Sequence, residues 1–367
     1  MRIAHVSDCY LPRTGGIETQ VRGLALAQAA RGDDVRIITA TPGDGPVRAG
    51  RDVVDGLPVD RLAVRLPADL PVHPRTRAGV RALLESEPAD VAHVHLGATS
   101  PFAWGALRAL AQVDLPTVVT VHSVWGPLSR NGYRAVRSAL LRPHVVVSAV
   151  SGMAASAVSS SLATDVAVLP NALDPLPWQR EAAVPRVDGA LRVVTVSRLA
   201  PRKRIGALLK AIARAQVLVG PSQRIEATII GDGPQRALVE RTARRLGIDV
   251  TFTGRLDGSG IREVFARSDA FVQASVRESF GIAALEARAA GLPVIARAQA
   301  GTAEFIRDGI EGLLAVDDAS LASAIALLAR DPGLGERLAA HNVSAPVEQT
   351  WDYVCARASA LYADAGA

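Results

Sequence analysis

The sequence predicts an α/β protein made of two doubly wound, Rossmann-like parallel-sheet domains. Three observations lead there. Short β-branched runs alternate with amphipathic stretches along most of the chain, which is the pattern of right-handed βαβ units. Hydrophobic residues make up 49 % of the chain but aromatics only 4 %. Such cores are built from Ala, Val, Leu and Ile, which suits helix-covered parallel strands better than a β-sandwich. The rhythm breaks at residues 170–190, PNALDPLPWQREAAVPRVDGA, where four prolines and no clear period mark a linker. A length of 367 residues accommodates two domains.

Taken in order, the expected strands of the first half are Arg2–Ser7, Asp34–Thr39, Val59–Val64, Val91–His95, Thr117–His122, His144–Val150 and Val166–Leu169. Helical spacing fills most of the gaps between them. In the segment Ile17–Arg31, Val21, Leu24, Leu26 and Ala27 are expected to face inward. The first domain is expected over 1–172, a linker over 173–190 and a second domain over 191–346. The strands of the second domain are expected at Arg192–Ser197, Glu226–Ile230, Val250–Thr253, Ala270–Ala274 and Pro293–Ala296. After Gly312 a mainly helical chain is expected, with a last helix at about 347–367 crossing back to the first domain. Two such halves joined by a hinge place a ligand cleft at the carboxyl ends of their strands.

Composition narrows the function classes. Cys9 and Cys355 stand at opposite ends of the chain, so neither a disulfide framework nor a cysteine zinc site is expected. The opening MRIAHVSD lacks the pattern of a signal peptide, and no apolar run reaches the roughly 18 residues of a spanning helix. A cytoplasmic protein is expected. The net charge of +5 comes from Arg residues spread along the chain. It is compatible with a solvated surface or with phosphate-rich partners such as nucleotides or anionic lipid. Nucleic-acid binding is not expected, because no zinc finger, RNA-binding aromatic signature or basic heptad helix occurs.

Four loops carry the chemistry. Leu11–Gly16, LPRTGG, joins the first strand to the first helix, where Gly15 and Gly16 would let backbone approach an anion at the helix start. It is not the Gly-x-Gly-x-x-Gly fingerprint, which disfavours a dehydrogenase. Ser197–Lys203 follows the first strand of the second half and sets Arg198 and Lys203 at a helix entrance. Cations there oppose the helix dipole unless a negative group lies among them, and a diphosphate would satisfy both. Lys203 is one of only two lysines in the chain. In Arg277–Ala287, RESFGIAALEA, seven residues separate Glu278 from Glu286. A helix beginning near Phe280 would put Glu278 over its N-terminus and Glu286 on its second turn, with Ser279, Phe280, Gly281 and Ile282 offering backbone N–H groups. Two acids at a phosphate site call for hydroxyl or cationic partners, which sugars, Arg and Lys supply. Phe280 and Ile282 beside the acids argue for a closed pocket. The fourth loop begins at His122, at a strand's carboxyl end and so facing the cleft. His93 and His95 have metal-ligand spacing, but without a convergent carboxylate or cysteine motif no metal site is expected.

Together, and in this order, these loops resemble the GT-B retaining glycosyltransferases of glycosyltransferase family 4, whose actinobacterial members include phosphatidylinositol mannosyltransferases and mycothiol-pathway enzymes. The resemblance covers nearly the whole chain. It is strongest at Glu278 and Glu286, next at Arg198 and Lys203, and is supported by Gly231-Asp232-Gly233-Pro234 and Gly254-Arg255-Leu256. It implies that Arg198 and Lys203 bind the donor diphosphate, that Glu278 with the backbone of Phe280–Ile282 holds the donor sugar, and that Glu286 takes the ribose hydroxyls. Gly233, Arg255 and Leu256 would border the nucleotide. Gly15 and Gly16 would approach the phosphate, and His122 would sit beside the sugar near the acceptor. Departures occur at Ser197 and Arg204, where the family usually has glycine, and at Ala300-Gly301-Thr302, where a glycine pair is common.

The resemblance implies transfer of a hexosyl group, mannose first, from a nucleotide-sugar such as GDP-mannose or a UDP-sugar. No other cofactor is implied. The chain has no Asp-x-Asp motif, so fixed cations are expected to replace a metal at the leaving diphosphate. An epimerase or phosphorylase on the same fold, or a non-catalytic nucleotide-sugar binder, are the alternatives. The acceptor is expected to be a small molecule or lipid-linked. In Val124–Arg142, residues Arg130, Arg134 and Arg137 share one helical face and Tyr133, Val136 and Leu140 an adjacent one. A helix of that kind can lie in the headgroups of anionic lipid, so peripheral membrane association is a further expectation.

Overall fold

The structure is a computed structural model, and it describes residues 1–45, 47–64, 72–124, 133–179 and 189–367. The chain divides into two compact units, one formed by Met1–Ala172 with Gln349–Ala367 and the other by Leu173–Glu348.

The first unit is a parallel sheet with one antiparallel edge. In chain order its elements are β1 (Arg2–Ser7), α1 (Gly16–Ala30), β2 (Asp34–Thr39), β3 (Gly50–Val54), β4 (Leu57–Arg61), α2 (Thr76–Ser86), β5 (Val91–Leu96), α3 (Pro101–Val113), β6 (Thr117–Val121), α4 (Arg137–Leu140), β7 (Val145–Ala149), α5 (Gly152–Leu162) and β8 (Ala167–Val168). The strand order is β3-β4-β2-β1-β5-β6-β7-β8. Strands such as Val91–Leu96 are buried along their whole length, because helices cover both faces. One face packs Phe102, Leu107 and Leu110 of α3 with Tyr133, Val136 and Leu140. The other packs Val21 and Leu24 of α1 with Val354, Ala358 and Tyr362 of the last helix, Trp351–Asp364.

The second unit holds β9 (Leu191–Val196), α6 (Ile205–Val219), β10 (Ile225–Ile230), α7 (Arg236–Leu246), β11 (Asp249–Gly254), α8 (Gly258–Ala266), β12 (Ala270–Val272), α9 (Ile282–Ala289), β13 (Val294–Arg297), β14 (Gly312–Ala315), α10 (Asp318–Arg330) and α11 (Pro332–Ser344). The chain then returns to the first unit as α12 (Trp351–Asp364). The sheet order β11-β10-β9-β12-β13-β14 is parallel throughout.

The predicted fold class is the observed one, with four local corrections. The expected strand Val59–Val64 ends at Arg61 and is the second arm of a hairpin with β3. Its turn is Asp55-Gly56, with φ of 52° and 81°, the backbone that a two-residue hairpin turn demands. A fourteenth strand, Gly312–Ala315, precedes the final helices and pairs with β13. On α1 the inward residues are Gln20, Val21, Leu24, Ala25 and Gln28, while Leu26 and Ala27 are only partly covered. Within the amphipathic stretch 124–142, the described residues 133–142 do not form one lipid-facing helix. Arg130 lies outside the described residues, and α4 has only four residues. Tyr133, Val136 and Leu140 are at most 1 % exposed, since they cap the first core. Arg137 is drawn back by its bond to the Leu162 carbonyl at 3.0 Å. The apolar stripe is spent on the sheet and is closed to lipid.

Candidate active site

In an open parallel sheet, a crevice forms where the strand order reverses and neighbouring loops part in opposite directions. In the second unit that point lies between β9 and β12. The loops after these strands are the two that the sequence singles out, and they meet: Lys203 Nζ lies 2.5 Å from Glu278 Oε2. Their side chains are 19 % and 12 % exposed, so the pair borders solvent from a largely covered position. Ser275 Oγ ties the loops again by donating to the Arg202 carbonyl at 3.1 Å.

The loop after β9 is held from below. Leu199, fully buried, donates its N–H to the Asp232 carbonyl at 2.9 Å and accepts from Gln235 N at 2.9 Å. A side chain at Gly233 would overlap the Leu199 backbone, so glycine there lets the two loops touch. Arg198, next to this anchor, stands exposed at the same edge. A short 3₁₀ turn spans Pro201–Lys203, and Arg204 then takes φ 56°, ψ 33°, the left-handed conformation in which glycine is usual. The departure from glycine therefore does not change the backbone. The Arg204 side chain turns to Asp318, with bonds of 2.9 and 2.6 Å, and Arg297 holds the same carboxylate at 2.8 Å.

The loop after β12 ends in a helix start without a side-chain cap. Gly281 has φ +97°, and a Cβ there would overlap Thr302 Oγ1. Thr302 Oγ1 itself donates to Gln273 Oε1 at 2.6 Å, which leaves no room for a larger residue. The Gly281 carbonyl accepts from Ala284 and Leu285, while the N–H groups of Ile282 and Ala283 have no partner among the described residues. These free donors, with the helix dipole, suit an anion or a row of hydroxyls. Gly301 N holds the Glu278 carbonyl at 2.9 Å, and a Cβ on Gly301 would overlap Ser279 O. One glycine thus suffices where a pair is common. The Phe280 ring is 3 % exposed and packs on Phe305, so only its backbone can border a ligand. Glu286 lies on the second turn of α9 with no hydrogen bond or ion pair to its carboxylate among the described residues. Burial pushes its carboxyl up to about 8. Arg255 is exposed and Leu256 half-buried beyond the end of β11, whose Gly254 carbonyl accepts Gly231 N at 2.7 Å.

In the first unit the order reverses between β1 and β5. Gly15 is the N-cap of α1 and Gly16 its first residue, without a capping side chain. The preceding loop is fixed by Arg61, whose Nη1 donates to Leu11 O at 2.9 Å and Thr41 O at 3.0 Å while Asp52 neutralises it at 2.8 Å. Asp8 reaches from the end of β1 to cap α3, accepting from Phe102 N at 2.9 Å. Burial pushes its carboxyl up to about 7, against the pull of the Phe102 and Ala103 N–H groups. His122 sits past the end of β6, with its N–H on the Leu96 carbonyl at 2.8 Å. Its Nε2 meets His95 Nδ1 at 3.1 Å, and Asn171 also bonds the ring. Burial pushes His122 down to about 4, so it is neutral near pH 7. His93 and His95 do point together, and with His5 their nitrogens come within 4.8 Å of one another. All six of those nitrogens have protein partners.

Sequence reasoning missed Asp8, Arg61, His5 and Thr302. None of the four had a local signal, since their roles depend on contacts distant in sequence, as with Asp8 and Phe102.

Two family profiles match the chain: one described as Glycosyltransferase Family 4 over residues 14–175, the other as Glycosyl transferases group 1 over residues 190–331. A phosphatidyl-myo-inositol mannosyltransferase of Mycobacterium leprae is 29 % identical over 99 % of this chain and 96 % of its own. A glycogen synthase of Mycobacterium tuberculosis is 30 % identical over 92 % of this chain and 88 % of its own. Among solved structures, Anabaena Alr3699/HepE in complex with UDP and glucose superposes with a TM-score of 0.76 at 18 % identity, covering 99 % of both chains.

Proposed function

The chain belongs to the family 4 glycosyltransferases and is a GT-B enzyme; from that premise we propose that it transfers a mannosyl group from a nucleotide-sugar, GDP-mannose first, to an acceptor hydroxyl with retention of the α configuration and without a catalytic metal. The observation that carries the proposal is the Lys203–Glu278 contact beside the uncapped start of α9. It sets a cation, a carboxylate and free N–H groups around one crevice.

The roles divide by charge. Arg198 and Lys203 face the diphosphate and stabilise the negative charge that grows as the sugar–phosphate bond breaks. Glu278 and the backbone of Ser279–Ile282 bind donor-sugar hydroxyls. A bound donor draws Lys203 toward phosphate, which releases Glu278 to those hydroxyls. Glu286, next in line on α9, accepts ribose hydroxyls, and Gly233, Arg255 and Leu256 border the nucleotide. Gly15 and Gly16 serve the phosphate in this reading, and His122 the donor sugar. The mannose assignment is supported by the Mycobacterium leprae relative, named a mannosyltransferase.

The acceptor belongs to the first unit in this scheme. A groove between α2 and α3 is lined by Arg75, Arg77, Arg81 and Arg108, which supports an acceptor bearing an anionic group. The apolar stripe once expected to enter lipid is buried, and among the described residues no helix is long and apolar enough to cross a membrane.

Thermal shift with GDP and UDP in parallel tests the base, and transfer from each sugar donor in excess EDTA tests both sugar and metal. The anomeric coupling of the product reports the stereochemistry. Inversion at the transferred carbon, or activity restored only by Mg²⁺ or Mn²⁺, would overturn the corresponding part.

A further inference from the structure

One hydrogen-bonded row crosses the first unit beneath His122. His122 Nε2 meets His95 Nδ1 at 3.1 Å, and His95 Nε2 meets His5 Nδ1 at 2.9 Å. His5 Nε2 meets Gln28 Oε1 at 2.7 Å, and Gln28 Nε2 meets Tyr362 Oη at 2.9 Å. Tyr362 Oη meets His93 Nδ1 at 2.8 Å, and His93 Nε2 meets Thr120 Oγ1 at 2.7 Å. Thr120 Oγ1 meets Ser148 Oγ at 2.8 Å, and Ser148 Oγ meets the Val119 carbonyl at 3.1 Å. The row draws on β1, β5, β6, β7, α1 and α12.

A row of single-proton groups has only two possible directions, and its far end selects one. A carbonyl can only accept, so Ser148 donates to Val119 and must accept from Thr120. Thr120 then accepts from His93 Nε2–H, and His93 Nδ1 accepts from the Tyr362 hydroxyl. Tyr362, its proton used, accepts from the Gln28 amide NH₂, which turns the Gln28 oxygen to His5. His5 Nε2–H donates to that oxygen, His95 Nε2–H to His5 and His122 Nε2–H to His95. Each step follows from the one before, provided each imidazole carries one proton. Burial keeps all four in that form.

We propose that this row, anchored at the Val119 carbonyl and turned at Tyr362, locks His122 as the Nε2–H tautomer in a single orientation, making His95, His5, Gln28 and Tyr362 positioning residues for the transfer site. The part that concerns transfer rests on the role of His122 toward the donor sugar in the proposed function. It follows that Nε2 of His122, committed to His95, is not free to take the acceptor's proton. Nor is the row a proton conduit, because it ends on a carbonyl that cannot pass a proton on.

The test is histidine ¹⁵N NMR on the full-length protein at pH 7, with the four signals assigned by single His→Gln variants. All four should report the neutral Nε2–H form. An Nδ1–H or charged form at any of them overturns the assignment. Tyr362→Phe removes one oxygen and keeps the ring. It should give His122 a mixture of tautomers and lower kcat about ten- to a hundredfold with the donor KM unchanged. Should Tyr362→Phe not fold, Thr120→Val breaks the row at another link with the same expectation, and Thr120→Ser should restore both signal and rate. Unchanged His122 signals and kcat in the variant that folds would overturn the positioning role. The NMR result needs no turnover, so absence of transfer with every donor would strike the proposed function and leave the tautomers standing.

Discussion

Lowering the pH from 7 to 5 should destabilise the first unit selectively. A histidine in an unfolded chain titrates near 6.5. In the fold, burial pushes His5 and His122 down to about 4 and holds His93 and His95 well below the usual value. Unfolding therefore takes up protons between these limits, so the stability is fully present above about pH 6.5 and is lost as pH falls toward 4. At pH 5 His5 and His122 each favour the unfolded chain by about 2 kcal/mol, and His93 and His95 act in the same direction. Asp8 acts in the opposite sense. Its carboxyl, pushed up to about 7, binds its proton first in the fold and restores about 2 kcal/mol over the same interval. Tyr362 and Cys355, which burial pushes upward, stay neutral throughout. The groups with known shifts alone leave a net loss of about 2 kcal/mol, a large share of the stability of an ordinary domain, about 5–15 kcal/mol. The second unit responds otherwise, because Glu286, pushed up to about 8 by burial, gains a proton in the fold as pH falls. The assay is urea unfolding read by hydrogen exchange, comparing peptides from β1 and β5 with peptides from β9 and β10 at both pH values. A first-unit midpoint that moves by less than the equivalent of about 1 kcal/mol would refute the account, and so would equal losses in both units.

The remaining predictions concern the second unit. Glu278→Ala and Lys203→Ala should each lower transfer roughly a hundred- to a thousandfold with an unchanged circular dichroism spectrum; full activity in either removes its residue from the site. Glu286→Gln should raise the melting temperature more at pH 9 than at pH 5, since it removes a carboxylate that must ionise while buried; an equal effect at both values would show that the carboxylate is already satisfied. Gly281→Ala should cost roughly 1–3 kcal/mol in urea unfolding from backbone strain alone, with further loss from the overlap with Thr302. A neutral Gly281→Ala would mean that the loop can rebuild.

The parallel strands were legible because burial on both faces makes them short continuous apolar runs, as in Val91–Leu96 and Leu191–Val196. The edge strand Gly50–Val54 was not, since its residues are mostly exposed and form no such run. Its one readable sign was Asp55-Gly56. Strand Gly312–Ala315 is too short to show a period. Lys203 and Glu278 could be found because each lies in its own distinctive loop. The histidine row could not: His93 and His95 are visible as a pair, but the Tyr362 that completes them lies 269 residues from His93. The basic-apolar stripe near Arg134 misled because a helix covering a sheet and a helix entering lipid have the same pattern. Only packing separates them, and Tyr133 is wholly buried.

The order of the two units in the chain has a consequence for biosynthesis. Residues 349–367 complete the first unit, yet they follow the entire second unit. A ribosome must therefore translate Leu173–Glu348 before the first unit can close. Until α12 emerges, the face of the sheet carrying His5, His93 and His95 has no Tyr362, and Val21 and Leu24 lack part of their cover. The nascent first unit stays incomplete throughout that interval, while the second unit has all of its own residues as it appears. A premature stop a few codons before Tyr362 would remove under a twentieth of the chain and leave the earlier-made unit, not the later one, unfinished.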